Sequence, residues 1–106
     1  MSARKVVVRL SREADQDLQD LLLYTRRTWG EAQKVTYRTA IIRTLRLLRD
    51  YPHSGQPRMD LFPGCRGVQV EQHVIYYHLP RAGDVEVLRI LHRRQDPTGN
   101  VEQPTT

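Results

Sequence analysis

Cysteine is almost missing from this 106-residue chain: Cys65 stands alone, so no disulfide can close within it. The start, MSARKVVVRL, offers only three successive valines, too few for a secretory leader, and with a lone thiol this points to a reducing cytoplasm. No motif surrounds Cys65 that would make it a nucleophile. No apolar run approaches the length of a membrane span, and no membrane association is expected. The four histidines, His53, His73, His78 and His92, show no HxH, HxxxH or HExxH spacing, so neither a metal nor a cofactor is expected. Walker A, GxGxxG and GxSxG patterns are absent, which leaves nucleotide-binding and serine-hydrolase chemistry without an anchor. Lysine is scarce too. Lys5 and Lys34 are the only two, so arginine carries almost all of an excess that brings the net charge to +5. Such a balance attracts acidic surfaces of any kind.

What is present reads as one domain over residues 1–96 followed by a flexible tail, 97–106. Residues 4–10 form a valine-rich strand with Val6, Val8 and Leu10 on one face. Ser11 is placed to cap a helix, with Glu13 and Asp15 in its first turn. Ala14, Leu18, Leu21, Leu22, Thr25 and Trp29 recur at helical spacing, and Gly30 supplies the stop. Trp29 is therefore expected to be buried where two helices meet, its truncation to alanine costing about 3–5 kcal/mol. A second helix spans 31–49 with an apolar stripe of Val35, Tyr37, Ile41, Ile42, Leu45 and Leu48. Arg38, Arg43, Arg46 and Arg49 cover much of the rest as a solvated face. DYPHSGQP ends that helix in turn chemistry.

Three strands follow, at 66–72, 73–79 and 84–92, joined by a tight turn at 71–73 and a turn at PRAG, 80–83. The tail, DPTGNVEQPTT, has no apolar period and is expected to be mobile. The order β-α-α-β-β-β predicts an α+β fold, a helical hairpin packed on one face of a four-stranded, mainly antiparallel sheet. The other face is expected to stay partly open. On the last strand both parities mix apolar and charged residues, so alternation does not say which side is the core. Tyr76 and Tyr77, being adjacent, must point to opposite faces.

The last strand ends on His92, Arg93 and Arg94. Together with Arg66 these residues offer cations for a polyanion, and with Glu71, His73 or His78 they offer the residue types for RNA cleavage. They also fit a solvated strand end. No aromatic ladder accompanies the basic residues, so base stacking on single-stranded nucleic acid has little support.

Five stretches taken in order resemble the RelE/ParE superfamily of bacterial toxins, and its ParE branch in particular. They are TWGEAQKVTY (28–37), LRDYPHSGQPR (48–58), LFPGCRG (61–67), HVIYYHL (73–79) and VEVLRILHRRQD (85–96). Cys65 stands where the family usually has tyrosine. The resemblance implies the toxin of a type II toxin–antitoxin system: a non-enzymatic inhibitor that binds DNA gyrase, causes growth arrest and touches DNA only indirectly. It also implies a cognate ParD-like antitoxin and a hetero-oligomer with it. The alternative it leaves is a RelE-type ribosome-dependent mRNA endoribonuclease. Of that catalytic set, only Arg66 matches; the lysine cluster and the late tyrosine are missing. Target binding is accordingly expected at Arg66, His92, Arg93 and Arg94, and antitoxin binding at Leu21, Tyr24, Trp29 and Tyr37.

Overall fold

Ser11 opens the first helix as its side chain predicts: its Oγ accepts the Ala14 N–H at 3.0 Å. The same hydroxyl donates to the Leu88 carbonyl at 2.8 Å, so the cap also ties the helix to the last strand. The computed structural model describes residues 6–80 and 84–104. Its elements are β1 (Val8–Leu10), α1 (Arg12–Trp29), α2 (Glu31–Asp50), β2 (Gln56–Pro57), β3 (Arg66–Val70), β4 (His73–His78) and β5 (Val85–His92). Gly30 separates the helices with φ at +99°, a backbone that a side chain would strain. Residues 4 and 5 of the expected first strand and 81–83 of the PRAG turn lie outside the described residues.

The sheet has five strands in the order β1-β5-β4-β3-β2, one more than the four expected. The addition is β2, two residues inside the segment read as a turn, paired antiparallel with β3. Only β1 and β5 run parallel; every other pairing is antiparallel. Tyr77 holds β2 in place. Its Oη accepts the Gly55 N–H at 2.9 Å and donates to the Pro52 carbonyl at 2.7 Å. A Cβ on Gly55 would stand 2.6 Å from that oxygen, so the close approach requires glycine.

Between Tyr76 and Tyr77 the β4–β5 register slips, leaving Leu88 as an extra residue on β5. This bulge explains why alternation failed to choose a core face. Before it, Val85 and Val87 join the helix-side core; after it, Ile90 does. Leu88 and Leu91 turn to the opposite face. The helix-side core gathers Ala14, Leu21, Ile41, Leu48, Ile75 and Tyr77 around these strand residues.

β1 is too short to cover β5 beyond Val87, and α1 completes that edge. Asp17 accepts the Ile90 N–H at 3.0 Å and takes the Arg89 guanidinium on both oxygens, at 2.8 and 3.0 Å. The carboxylate thus satisfies a backbone donor that β1 is too short to reach and a half-buried cation together.

The second sheet face is not open, contrary to expectation. Phe62, Cys65, Tyr76, Leu88 and Leu91 form a second cluster there, and Val101 closes it. Val101 is 3% exposed, so the segment expected to be mobile carries a buried anchor. A turn prepares it: Asp96 accepts the Thr98 N–H, and Asn100 and Val101 both donate to the Pro97 carbonyl. Burying a valine contributes about 1.5–3 kcal/mol, enough to hold a short turn. Tyr76 and Tyr77 do point to opposite faces, and both are buried.

Trp29 is the clearest correction: it is 71% exposed. No residue from Arg26 to Thr36 is buried, so the tip of the hairpin runs beyond the sheet. The apolar period of α1 continues to its last residue while the surface beneath it has ended. Val35 is exposed for the same reason.

Candidate target-binding site

The sheet's register divides the four residues expected to meet a target. His73 pairs with Val70 on one side and His92 on the other, so β3 and β5 both end there. Arg66 pairs with Tyr77 and Pro57 at the opposite end of β3, about 13 Å away over four residues of strand. Arg66 is also engaged: one Nη donates to the carbonyls of Gly55 at 2.7 Å and His53 at 3.1 Å. It clasps the loop before β2. His92, Arg93 and Arg94 remain together, without Arg66.

Their surroundings are built from three elements. The 71–72 turn connects β3 to β4 with Glu71 at φ +53°, the left-handed backbone that so short a connection demands. Gln72 in that turn receives two bonds from Arg93: the backbone N–H donates to the Gln72 carbonyl at 2.8 Å, and Nε donates to Oε1 at 2.6 Å. The Gln72 N–H in turn donates to Tyr37 Oη at 3.0 Å. Tyr37 belongs to α2, so the helix layer reaches the basic end through one phenol.

That phenol also bonds His73 Nδ1. Its oxygen already accepts from Gln72, which leaves its own proton for Nδ1 and selects the Nε2–H tautomer of a neutral ring. The His73 ring lies edge-on to Tyr37 and to His92, with centroids 5.4 and 5.3 Å apart. Burial, reinforced by the neighbouring His92 and opposed by Asp17, lowers its pKa to about 4. His73 is therefore uncharged at neutral pH. Burial likewise raises the Tyr37 pKa, against the pull of the Gln72 N–H. His92 Nδ1 accepts the Arg94 N–H at 3.1 Å, which turns the chain outward after β5.

The outcome is a rim with one neutral, packed histidine behind it and two exposed guanidinium groups in front. Among the described residues the Arg94 side chain has no partner, and Arg93 is held only through Nε. Beside the rim runs a shallow groove of about 270 Å³ between α1 and the end of β5, with Asp20, Tyr24, His73, His92 and Gln95 on its walls.

Of the residues expected to meet an antitoxin, two are interior. Leu21 is 7% exposed and Tyr37 is 9% exposed; both pack in the helix-side core. Tyr24, at 66%, and Trp29 are on the surface of the hairpin. Sequence reasoning did not single out Gln72, and it put Tyr37 both in the apolar stripe of α2 and among the antitoxin-binding residues. The tight 71–73 turn was the one available signal, since it fixes Val70 opposite His73.

Cys65 is inert at neutral pH. Burial pushes its thiol up to about 11, and it packs in the second core cluster. Among the described residues no three His, Cys, Asp or Glu side chains could together hold a metal ion. Among them, too, no helix is long and apolar enough to cross a membrane.

Comparison with known proteins gives this geometry a family. Residues 8–97 match the model of the ParE toxin of type II toxin-antitoxin system, parDE. Toxin ParE1 of Caulobacter vibrioides is 36% identical over 86 residues, covering 80% of this chain and 86% of that protein. Toxin ParE of Escherichia coli is 36% identical over 88 residues, covering 82% and 84%. A solved structure of the chromosomal ParDE TA system from P. aeruginosa superposes with a TM-score of 0.71 at 17% identity, over 85% of this chain and 98% of that one. The last likeness bears on the fold alone, but the match spans the domain from its first strand to the end of the basic rim: the chain belongs to the ParE toxin family of the parDE type II toxin–antitoxin systems.

Proposed function

We propose that this ParE toxin arrests growth by binding DNA gyrase in the cytoplasm, without catalysis of its own, and that a ParD-like antitoxin neutralises it as a hetero-oligomer. The observation that carries the reading is the separation of Arg66 from His92, Arg93 and Arg94. RNA cleavage needs cations and proton carriers converging within hydrogen-bond reach of one phosphate. Here Arg66 is turned onto its own chain, and His73 Nδ1 is taken by Tyr37. What remains at the rim is charge and hydrogen-bond donors, the equipment of a binding surface. Tyr24 and Trp29 are among the exposed apolar positions on the hairpin that an amphipathic antitoxin segment would cover.

The experiment compares Arg93→Ala/Arg94→Ala with His92→Gln in growth arrest, gyrase supercoiling and RNA cleavage. The double variant loses more inhibition than His92→Gln, because it removes two charges whereas glutamine keeps a polar donor. Added salt weakens wild-type inhibition further, as partly exposed charge pairs require. A general acid or base is worth on the order of 10²–10⁴ in rate. If His92→Gln alone abolishes toxicity while the double arginine variant stays fully toxic, the binding reading is wrong and ribonuclease action replaces it.

A further inference from the structure

We infer that Gln72 is a positioning residue: backed by Tyr37, it grips Arg93 by the chain and by Nε and so aims the terminal nitrogens of that guanidinium at the target. The inference rests on the gyrase reading for its biological outcome. Exposed arginines ordinarily sample many rotamers, and ordering one on binding weakens affinity roughly two- to twelvefold. At Arg93 part of that ordering is already done in the free toxin. The backbone bond to the Gln72 carbonyl fixes where the side chain starts, and the 2.6 Å bond from Nε to Oε1 fixes the plane of the guanidinium. Among the described residues no bond engages either Nη group, so both keep their protons for a partner.

The grip is itself braced. A glutamine in an exposed two-residue turn would otherwise be a soft support. Its N–H, however, is anchored on the Tyr37 hydroxyl, and Tyr37 is fixed in the helix-side core and bonded to His73. The path from α2 to the guanidinium thus passes through hydrogen bonds to groups that packing already orders. Arg94 has no such support, so the two adjacent arginines differ in kind: Arg93 is aimed and Arg94 is free to adapt.

The test uses the full chain and purified bacterial DNA gyrase, reading the toxin concentration that half-inhibits supercoiling. Gln72→Met keeps the length of the side chain and removes the acceptor; Gln72→Glu keeps the acceptor. Gln72 is exposed, so both variants fold, and melting curves verify it. Gln72→Met raises the half-inhibitory concentration by up to about tenfold, the ordering of one arginine that then falls to the binding step. Gln72→Glu stays within about twofold of wild type, a rescue that a mere packing role would not produce. Tyr37→Phe falls between them. In nitrogen NMR spectra the Arg93 Nε–H of wild type exchanges slowly, and in Gln72→Met it joins the averaged arginine signals. Gln72→Met inhibiting as well as wild type, while Arg93→Ala does not, overturns the positioning role. An averaged Arg93 Nε–H signal in wild type overturns the grip itself. Arg93→Ala without effect on gyrase, with the slow Arg93 signal present in wild type, sinks the gyrase reading of the rim and with it the aiming role of Gln72, while the grip itself stands.

Discussion

Replacing Tyr77 by phenylalanine removes one oxygen and isolates the worth of the bond that holds β2. Tyr77 is fully buried, and its hydroxyl serves two backbone groups, the Gly55 N–H and the Pro52 carbonyl. Gly55 is buried, so its N–H has no water to turn to once the oxygen is gone. An unsatisfied buried donor costs about 1–3 kcal/mol, and the half-buried Pro52 carbonyl adds about 0.5–1.5 kcal/mol for a lost hydrogen bond. The loop does not escape by swinging outward, because Arg66 holds the Gly55 carbonyl at 2.7 Å. The sum is about 1.5–4.5 kcal/mol. Domains of this size lose about 4 °C of melting temperature per kcal/mol, which gives a fall of about 6–18 °C. Calorimetric melting reads the fall, and hydrogen exchange at the Gly55 amide reads its location: that amide becomes fast while those of β4 and β5 stay slow relative to the new global stability. A fall below about 3 °C with the Gly55 amide still protected would refute the account, since it would mean that another acceptor takes over.

Two further outcomes follow from features described above. Trp29→Ala changes melting temperature by little, within the ±0.5 kcal/mol usual for surface sites, because the side chain stands clear of the core; a loss near 3 kcal/mol would place the hairpin tip against the sheet after all. Stability falls as pH is lowered from about 6.5 towards 4. His73 is neutral in the fold with a pKa of about 4, whereas the unfolded chain protonates near 6.5, so protons favour unfolding across that window. Denaturant titrations of wild type and His73→Asn between pH 4 and 7 check it, and an equal pH slope in both would exonerate His73.

Much of the fold was legible from local signals. Ser11 and Gly30 mark the helix boundaries through chemistry that acts within four residues, and the structure keeps both. The features missed depend on partners far along the chain. Pro57 and Gly55 read as turn residues because nothing nearby says that Tyr77, more than twenty residues on, will pull that segment against β3. The bulge at Leu88 reverses the meaning of every position after it, and one sequence does not show where a register slips. Val101 is a single apolar residue in a polar tail, below any periodic signal, yet the second face needed only one. The basic rim was visible as a run of charges. Its division from Arg66, and the hold of Gln72 on Arg93, exist only once β3, β4 and β5 are paired.

The place of β5 governs when this molecule comes into being. It is the last strand to be synthesised and an interior one in the sheet, lying between β1 and β4. A ribosome that has delivered the chain as far as Asp84 has made both helices and four strands. β1 then has no neighbour, and α1 has lost the strand it packs on, together with Val85, Val87 and Ile90. Pairings so distant in sequence form last, because loop closure must precede any gain from them. A chain that stops before Val85 therefore lacks the strand that joins β1 and α1 to the rest of the sheet. Until β5 has emerged, the nascent chain lacks both the strand that seats β1 and α1 and the His92 end of the basic rim.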